Sequence, residues 1–374
     1  MEQTHENTQQ TSEGEEQKKE VQRRIIELPD ITNAGKVTEQ EFFDIIRLVS
    51  PGTGFRTALE GIVKIGKGAL LVVENEFTDP LIDGGFKLNC KFTPQKLMEL
   101  SKMDGAIVLS KDMKKIMHAN VLLTPDSRIR TNETGTRHKA AERTAKMTGA
   151  LVIAVSERKN EINVYYKNLK HTLVNSNELL RKANEQVQIL EKQRELFEKY
   201  KERLDRFELQ NYHTLHHALR IIQKGTLIQK ISGEIQKVVV ELGKEGLLLK
   251  TRIRELLKGV IEETDLTIAD YTKLDVKKSR TLLKSLSYEE VLDEENILKA
   301  LAYENPLQQR PIKGWRILNK TLLTDAEIAH LVKEAGSLGK AINANISYYK
   351  GILGEERANM FKEDIERLKL THTY

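Results

Sequence analysis

The sequence predicts an α/β domain built as a mixed sheet flanked by helices, followed by an all-α spine and a small helical C-terminal domain. Three observations carry this. Between residues 37 and 168, stretches with helical apolar periodicity alternate with short continuous apolar runs. From residue 169 onward, apolar residues recur at spacings of three, four or seven with charges between them. Pro306 and Pro311 then mark a linker before a last group of short helical stretches.

The elements follow in order. TEQEFFDIIRLV (38–49) reads as a helix stopped by Pro51 and Gly52, GFRTALEGIVKI (54–65) as a second helix, and GALLVVE (68–74) as a buried strand. TPQKLMELSKM (93–103) reads as a helix with Thr93 at the N-cap and Pro94 at the first helical position. GAIVLS (105–110) and KIMHAN (115–120) read as strands joined by a turn. AAERTAKMTG (140–149) is a helix closed by Gly149, and ALVIAVSE (150–157) and EINVYY (161–166) complete the sheet.

Leu180, Ala183, Val187, Leu190, Phe197, Leu204 and Phe207 then form a heptad-like seam. Arg194 and Lys201 interrupt it, which favours a packed spine over a free coiled coil. Near the end, ISYYKGILGEERANMFKEDIERLK (346–369) reads as a helix, a glycine-bracketed turn and a second helix. The expected domains are therefore a polar tail over 1–36, expected to be disordered, the α/β domain over 37–168, the spine over 169–305 and the C-terminal domain over 306–374.

Composition restricts the partners. The 374 residues are 39% hydrophobic and 31% charged, and 60 basic against 55 acidic side chains leave a formal charge of +5, so any polyanion must be met by a local cluster rather than by the whole surface. The single cysteine, Cys90, offers no internal disulfide and no metal-ligand pattern, which points to a reducing cytoplasm. No apolar run approaches the length of about 18 residues that a membrane span requires, so no membrane association is expected.

One local cluster stands out. Thr136-Arg137-His138-Lys139 places two fixed cations and an imidazole at the start of a helix. The unpaired N–H groups and the macrodipole already make that end positive, so the arrangement calls for an anion between them. Guanidinium forks and an ammonium point charge suit a polyphosphate. Asp104-Gly105-Ala106 sets a carboxylate before a buried strand, with a glycine that lets a ligand approach the backbone. DGGF (83–86) reads as a tight turn, and IGKGA (65–69) lacks the spacing of a dinucleotide fingerprint.

Taken in order, DGGF, KMDGAI, ANVLLTPD and ETGTRHKAAERTAKMTGALVIAVSER resemble the diadenylate cyclase family, in its DNA-integrity-scanning (DisA) branch. ELGKEGLLLK and GILGEERA extend the resemblance over nearly everything after residue 37. It implies that two ATP condense to cyclic di-AMP and two pyrophosphates with Mg2+ or Mn2+. It further implies that Asp104 is catalytic and takes part in metal binding, and that Gly105 and Leu123 line the nucleoside pocket. Thr136, Arg137, His138, Lys139 and Ala140 would bind the ATP phosphates, with Ser156 opposite.

The resemblance also implies a homo-octamer, and a helix-hairpin-helix-like C-terminal domain that binds branched DNA through Gly351, Gly354 and Arg357 and thereby regulates the cyclase. The chain departs from the family pattern at Lys139, where arginine is usual, at Ala140, where threonine is common, and at GILG, one residue longer than the Gly-hydrophobic-Gly hairpin. From residue 307 onward eleven bases face eight acids, a modest basic patch. A catalytically weak or silent nucleotide sensor that binds DNA is the alternative reading. Asp104, which has no duty in a mere phosphate binder, favours the enzyme.

Overall fold

The structure, a computed structural model, describes residues 37–212, 215–305 and 311–371. The predicted tail over 1–36 and the linker residue Pro306 lie outside the described residues. The chain divides into two compact units, one of residues up to 180 together with 240–246, the other of 181–239 and 247 onward.

In the first unit, helices α1 (Glu39–Leu48) and α2 (Gly54–Lys64) precede strand β1 (Ala69–Val73), and β2 (Ile82–Asp83) and β3 (Phe86–Lys91) flank the turn made by DGGF. Helix α3 (Pro94–Leu100), β4 (Ala106–Leu109), β5 (Lys115–Leu123), α4 (Thr136–Thr148), β6 (Leu151–Val155), β7 (Ile162–Tyr166) and β8 (Leu169–Leu173) follow. The sheet is mixed: β1 and β4 run parallel and the other pairings are antiparallel, in the order β2-β5-β4-β1-β6-β7-β8, with β3 also on β5. The central apolar runs are continuous because both faces of the sheet are covered. Leu71, Ile107, Ile153 and Val155 pack with Ile46, Leu59, Ile62 and Leu97 from α1, α2 and α3. Leu70, Val72, Val108, Val152 and Ala154 face the other way, against Ala141 and Ala145 of α4.

Helix starts follow the cap chemistry of the sequence. Thr38 and Glu41 form a capping box on α1, and Thr93 accepts the N–H of Lys96 with Pro94 at the first position of α3. Gly149 ends α4 in the left-handed conformation, φ 66°.

Two expectations need correction. The sheet does not end near residue 168: β8 pairs with β7 in the register Tyr165 to Lys170 and Asn163 to Thr172, so 169–173 is strand rather than the start of the spine. Its alternation of half-buried and exposed residues is that of a short edge strand, which carries little apolar signal. The seam also begins one residue early. Leu179, Ala183, Val187, Leu190, Phe197 and Leu204 are buried, whereas Leu180 and Phe207 are half-buried.

The seam lies on α5 (Ser176–Leu209), whose residues from 181 onward belong to the second unit, and α6 (Leu215–Leu242), α7 (Leu247–Leu257) and α8 (Val260–Tyr271) follow it. Arg194 interrupts the seam for a reason: its guanidinium donates to the carbonyls of Leu256 and Lys258 (3.1 and 2.9 Å) and so caps the end of α7. Shorter helices α9 (Val276–Ser285), α10 (Tyr288–Leu292) and α11 (Glu294–Ala300) lead to α12 (Trp315–Leu318), α13 (Asp325–Ala335), α14 (Leu338–Asn343), α15 (Ile346–Leu353) and α16 (Glu355–Thr371).

The C-terminal helices belong to the same unit as the spine. Fully buried Arg316 pairs with Asp205 (2.5 Å), Glu208 (2.5 Å) and Glu263 (2.6 Å). Asp270 accepts the backbone N–H groups of Gly314, Trp315 and Arg316 at 2.8 to 2.9 Å.

Candidate active site

A cleft of about 1030 Å3 opens over the α4 face of the sheet, at the end where β1 and β4 start and β5 and β6 finish. The first turn of α4 forms its middle. Gly135 is the N-cap and supplies no side-chain hydrogen bond, and the turn carries no acid, so the leading N–H groups of the helix are left for a ligand. Arg137 reaches from this turn across the start of β1: a Cβ on Gly68 would stand 2.0 Å from one of its guanidinium nitrogens. The absent side chain of Gly68 therefore makes room for the guanidinium.

Gly105 stands at φ +85° against the backbone of β5, where a Cβ would meet the Asn120 carbonyl carbon at 2.8 Å and the Val121 oxygen at 2.9 Å. Only glycine lets the start of β4 lie this close to the bulged strand beside it, whose register with β4 shifts after Ala106.

The lining changes character along the sheet order. Leu70, Ala106, Val121, Leu122 and Leu123 on β1, β4 and β5 are apolar, whereas Ser156, Asn163 and Lys170 at β6, β7 and β8 are polar. Ser156 accepts the N–H of Lys159 at 3.3 Å. Thr172 donates to the Asn163 side-chain oxygen at 2.6 Å.

Glu133, two residues before the N-cap, takes the ammonium of Lys170 at 2.5 Å and the Tyr165 hydroxyl at 2.9 Å. Burial pushes the Glu133 carboxyl up, but the hydrogen bonds from Lys170 and Tyr165 outweigh it and hold the group below its ordinary value. Burial, with the charges of Arg137 and Lys170, lowers His138 below its ordinary value despite the opposing pull of Glu133. Burial and the neighbouring Glu133 raise Tyr165, which stays a hydroxyl donor.

Of the residues singled out from the sequence, Gly105, Leu123, Thr136, Arg137, His138, Ala140 and Ser156 line this cleft, and Asp104 and Lys139 do not. Asp104 is exposed on the rim beside Gly105, and its carboxylate has no partner among the described residues. Gly68, Glu133, Arg158, Lys159, Asn163 and Lys170 escaped the sequence reading. The glycine-rich IGKGA was the one available signal for Gly68, and its meaning comes from Arg137.

Among the described residues no group of three or more histidines, cysteines or carboxylates is placed to hold a metal. The second candidate region, the hairpin of α15 and α16, turns at Gly354 (φ 82°), where a Cβ would meet nothing within 4 Å, as at Gly351. Arg357 is engaged within the protein, its guanidinium forked onto Glu327 at 2.9 and 2.8 Å.

Comparison with known proteins adds two family matches: residues 56–169 to the family described as DisA bacterial checkpoint controller nucleotide-binding, and 173–309 to the DisA bacterial checkpoint controller linker region. The chain is 38% identical over 348 residues to the DNA integrity scanning protein DisA of Bacillus subtilis, covering 90% of this chain and 97% of that protein. It is 37% identical over 340 residues to the protein of that name from Clostridium botulinum, covering 88% and 96%. The relative from Acetivibrio thermocellus is 35% identical over 350 residues, covering 91% and 97%. Among the described residues no helix is long and apolar enough to cross a membrane.

Proposed function

The chain belongs to the DisA family and is a diadenylate cyclase, and from that premise we propose that the cleft at the start of α4 holds one ATP while a second copy of the domain presents another to it. The observation that carries this is the uncapped first turn of α4, flanked by Arg137 and His138 and facing an apolar wall on β1, β4 and β5. The wall suits a base and ribose, and the helix turn with its cation suits the phosphates.

Each ATP offers its 3′-hydroxyl to the α-phosphorus of the other. The new O–P bond forms as the bond to the β-phosphate oxygen breaks, pyrophosphate leaves with that electron pair, and the hydroxyl proton is lost. Arg137 and the N–H groups of Thr136 to His138 stabilise charge on the phosphates, and His138 and Ser156 complete the hydrogen bonds around them. Ala140 packs beneath, and Lys139 adds a positive charge outside the lining. Asp104 orients the attacking hydroxyl from the rim, where its unpaired carboxylate is open to a facing domain. Exposed apolar residues Phe86, Met103 and Leu122 surround that rim and favour a covering surface.

The residues present fit a divalent cation, Mg2+ or Mn2+, in one way. Asp104 on the rim would hold it together with phosphate oxygens and water, the mode typical of Mg2+ at nucleotide sites, with the Glu157 and Glu161 carboxylates lining the same cleft. The ion would supply charge neutralisation on the phosphates.

Facing sites require a symmetric assembly, and the family points to an octamer. The family also points to regulation by branched DNA at the α15–α16 hairpin. There the open backbone at Gly351 and Gly354 is the candidate phosphate contact, with Arg357 bracing the hairpin through Glu327. Glu355 and Glu356 in the first turn of α16 oppose a phosphate, so the affinity should be modest and salt-sensitive. Incubating the purified protein with ATP and Mg2+ or Mn2+, and weighing the product, tests the assignment. Failure to form cyclic di-AMP with either metal would refute it, and a strictly monomeric active protein by light scattering would refute the facing-site mechanism.

A further inference from the structure

We propose that Lys170, on edge strand β8, binds the distal phosphates of ATP and the pyrophosphate they become, and that Glu133 positions it there. The inference rests on the reading of the cleft as the ATP site. It begins from the polarity gradient across the sheet. Apolar lining ends at β1, and β8 lies three strands further on, about 14 Å away at ~4.8 Å per strand. A nucleotide whose base lies on the apolar wall and whose α-phosphate meets the first turn of α4 extends its remaining phosphates toward β7 and β8. Lys170 on β8 is a cation there, with Arg158 and Lys159 of the β6–β7 turn also in the lining.

The second observation is an acid paired to Lys170. Of the described carboxylates that line the cleft, Glu133, Glu157 and Glu161, Glu133 is the one ion-paired to a lining lysine, holding Lys170 at 2.5 Å. Glu133 is itself fixed on three sides: the Tyr165 hydroxyl donates to it at 2.9 Å, its backbone N–H donates to the Thr131 hydroxyl at 3.1 Å, and that hydroxyl bonds Glu142 of α4. A free lysine on an edge strand would lose substantial rotamer entropy on meeting a phosphate. Here the carboxylate has already ordered it. An ammonium has three donors, and Glu133 and the solvent-facing half of the side chain leave donors open to the cleft. The same clasp ties the loop before α4 to β7 and β8, so the lysine stands close to the helix end that receives the phosphates.

A competing role is charge neutralisation, in which Lys170 only cancels Glu133. Binding by the full-length protein separates the two, using an ATP analogue with a methylene bridge between the α- and β-phosphorus and, in parallel, cyclic di-AMP, which lacks distal phosphates. Lys170→Ala should weaken the analogue roughly ten- to hundredfold, the worth of a hydrogen bond to a charged group, and leave cyclic di-AMP within about twofold. Lys170→Arg should restore most of the loss. The double variant Glu133→Gln with Lys170→Ala should stay weak.

Recovery of analogue binding in the double variant would mean that Lys170 only neutralises Glu133, and would overturn the proposal. Equal losses for both ligands, or no loss for either, would overturn it as well. If the unaltered protein binds neither ligand, the ATP reading of the cleft fails instead.

Discussion

Gly68→Ala should separate catalysis from stability. The added Cβ would stand 2.0 Å from one guanidinium nitrogen of Arg137, 2.6 Å from its central carbon and 3.0 Å from the other nitrogen, against ordinary contacts that begin near 3.4 Å. The guanidinium must retreat by more than an ångström. It is the far end of a flexible side chain, so the fold yields there at little cost. Misplacement of a reacting or stabilising group on this scale costs on the order of a hundredfold in rate, and outright loss of one preorganised donor costs about 10² to 10³.

Gly68 has no positive φ to forbid alanine, and a tolerated Gly→Ala change stabilises by roughly 0.4–1 kcal/mol through the unfolded chain. The cyclase rate should therefore fall about a hundredfold while the melting temperature holds or rises slightly. Initial rates of cyclic di-AMP formation and a thermal melt, with Arg137→Ala alongside, provide the measurement. A wild-type rate in Gly68→Ala with a dead Arg137→Ala would show that the guanidinium works from elsewhere.

Further outcomes follow from the same geometry. Asp104→Asn should abolish cyclic di-AMP synthesis and leave ATP binding largely intact; turnover within a few-fold of the unaltered protein would remove Asp104 from the reaction. Arg316→Met leaves Asp205, Glu208 and Glu263 without their common partner and should destabilise the helical unit by about 3–5 kcal/mol in a denaturant titration, the range for breaking a buried ion pair from one side. Glu327 is held at about 2, against 4.5 when unperturbed, by hydrogen bonds from Arg357 and then from Thr324. Because that value is depressed in the folded state, its stabilisation is complete above pH ~4.5 and is lost as pH falls through about 2, so Glu327→Gln should flatten the acid limb of the stability curve. A Cβ at Gly354 meets no atom but is strained at φ 82°, so Gly354→Val should reduce binding to a DNA junction without changing the DNA-free cyclase rate; unchanged binding would make the hairpin purely structural.

The parts of the fold that could be read from the sequence are those whose signal is local. Helix α4 and strand β6 are written as a helical stretch, a glycine and five apolar residues, and each of those five is buried. Strand β3 is not legible in this way, since five of its six residues are exposed and only Cys90 is partly covered. Strand β8 fails for a related reason: LKHTL is short, at the sheet edge, and directly followed by a long helix, so its residues merge with the spine pattern. Arg316 is a sharper case. Its partners lie 53, 108 and 111 positions away, and nothing near it in sequence distinguishes it from a surface arginine.

The candidate site divides along the same line. Cations at a helix start conflict with the helix dipole, so Thr136 to Lys139 pose their question within four residues, and an anion is the answer proposed. Gly68 poses none until Arg137, 69 positions later, is laid across it. Glu133 and Lys170 meet only because β7 and β8 pair with Tyr165 opposite Lys170, and a reading that ends the sheet at 168 has no strand to supply the lysine. The missed strand and the missed Glu133–Lys170 pair are therefore one error. On the proposed reading the motif receives the α-phosphate, whereas the far end of the nucleotide meets residues that the sheet register assembles. Substitutions on β8 should accordingly act on ATP affinity while leaving the motif itself untouched.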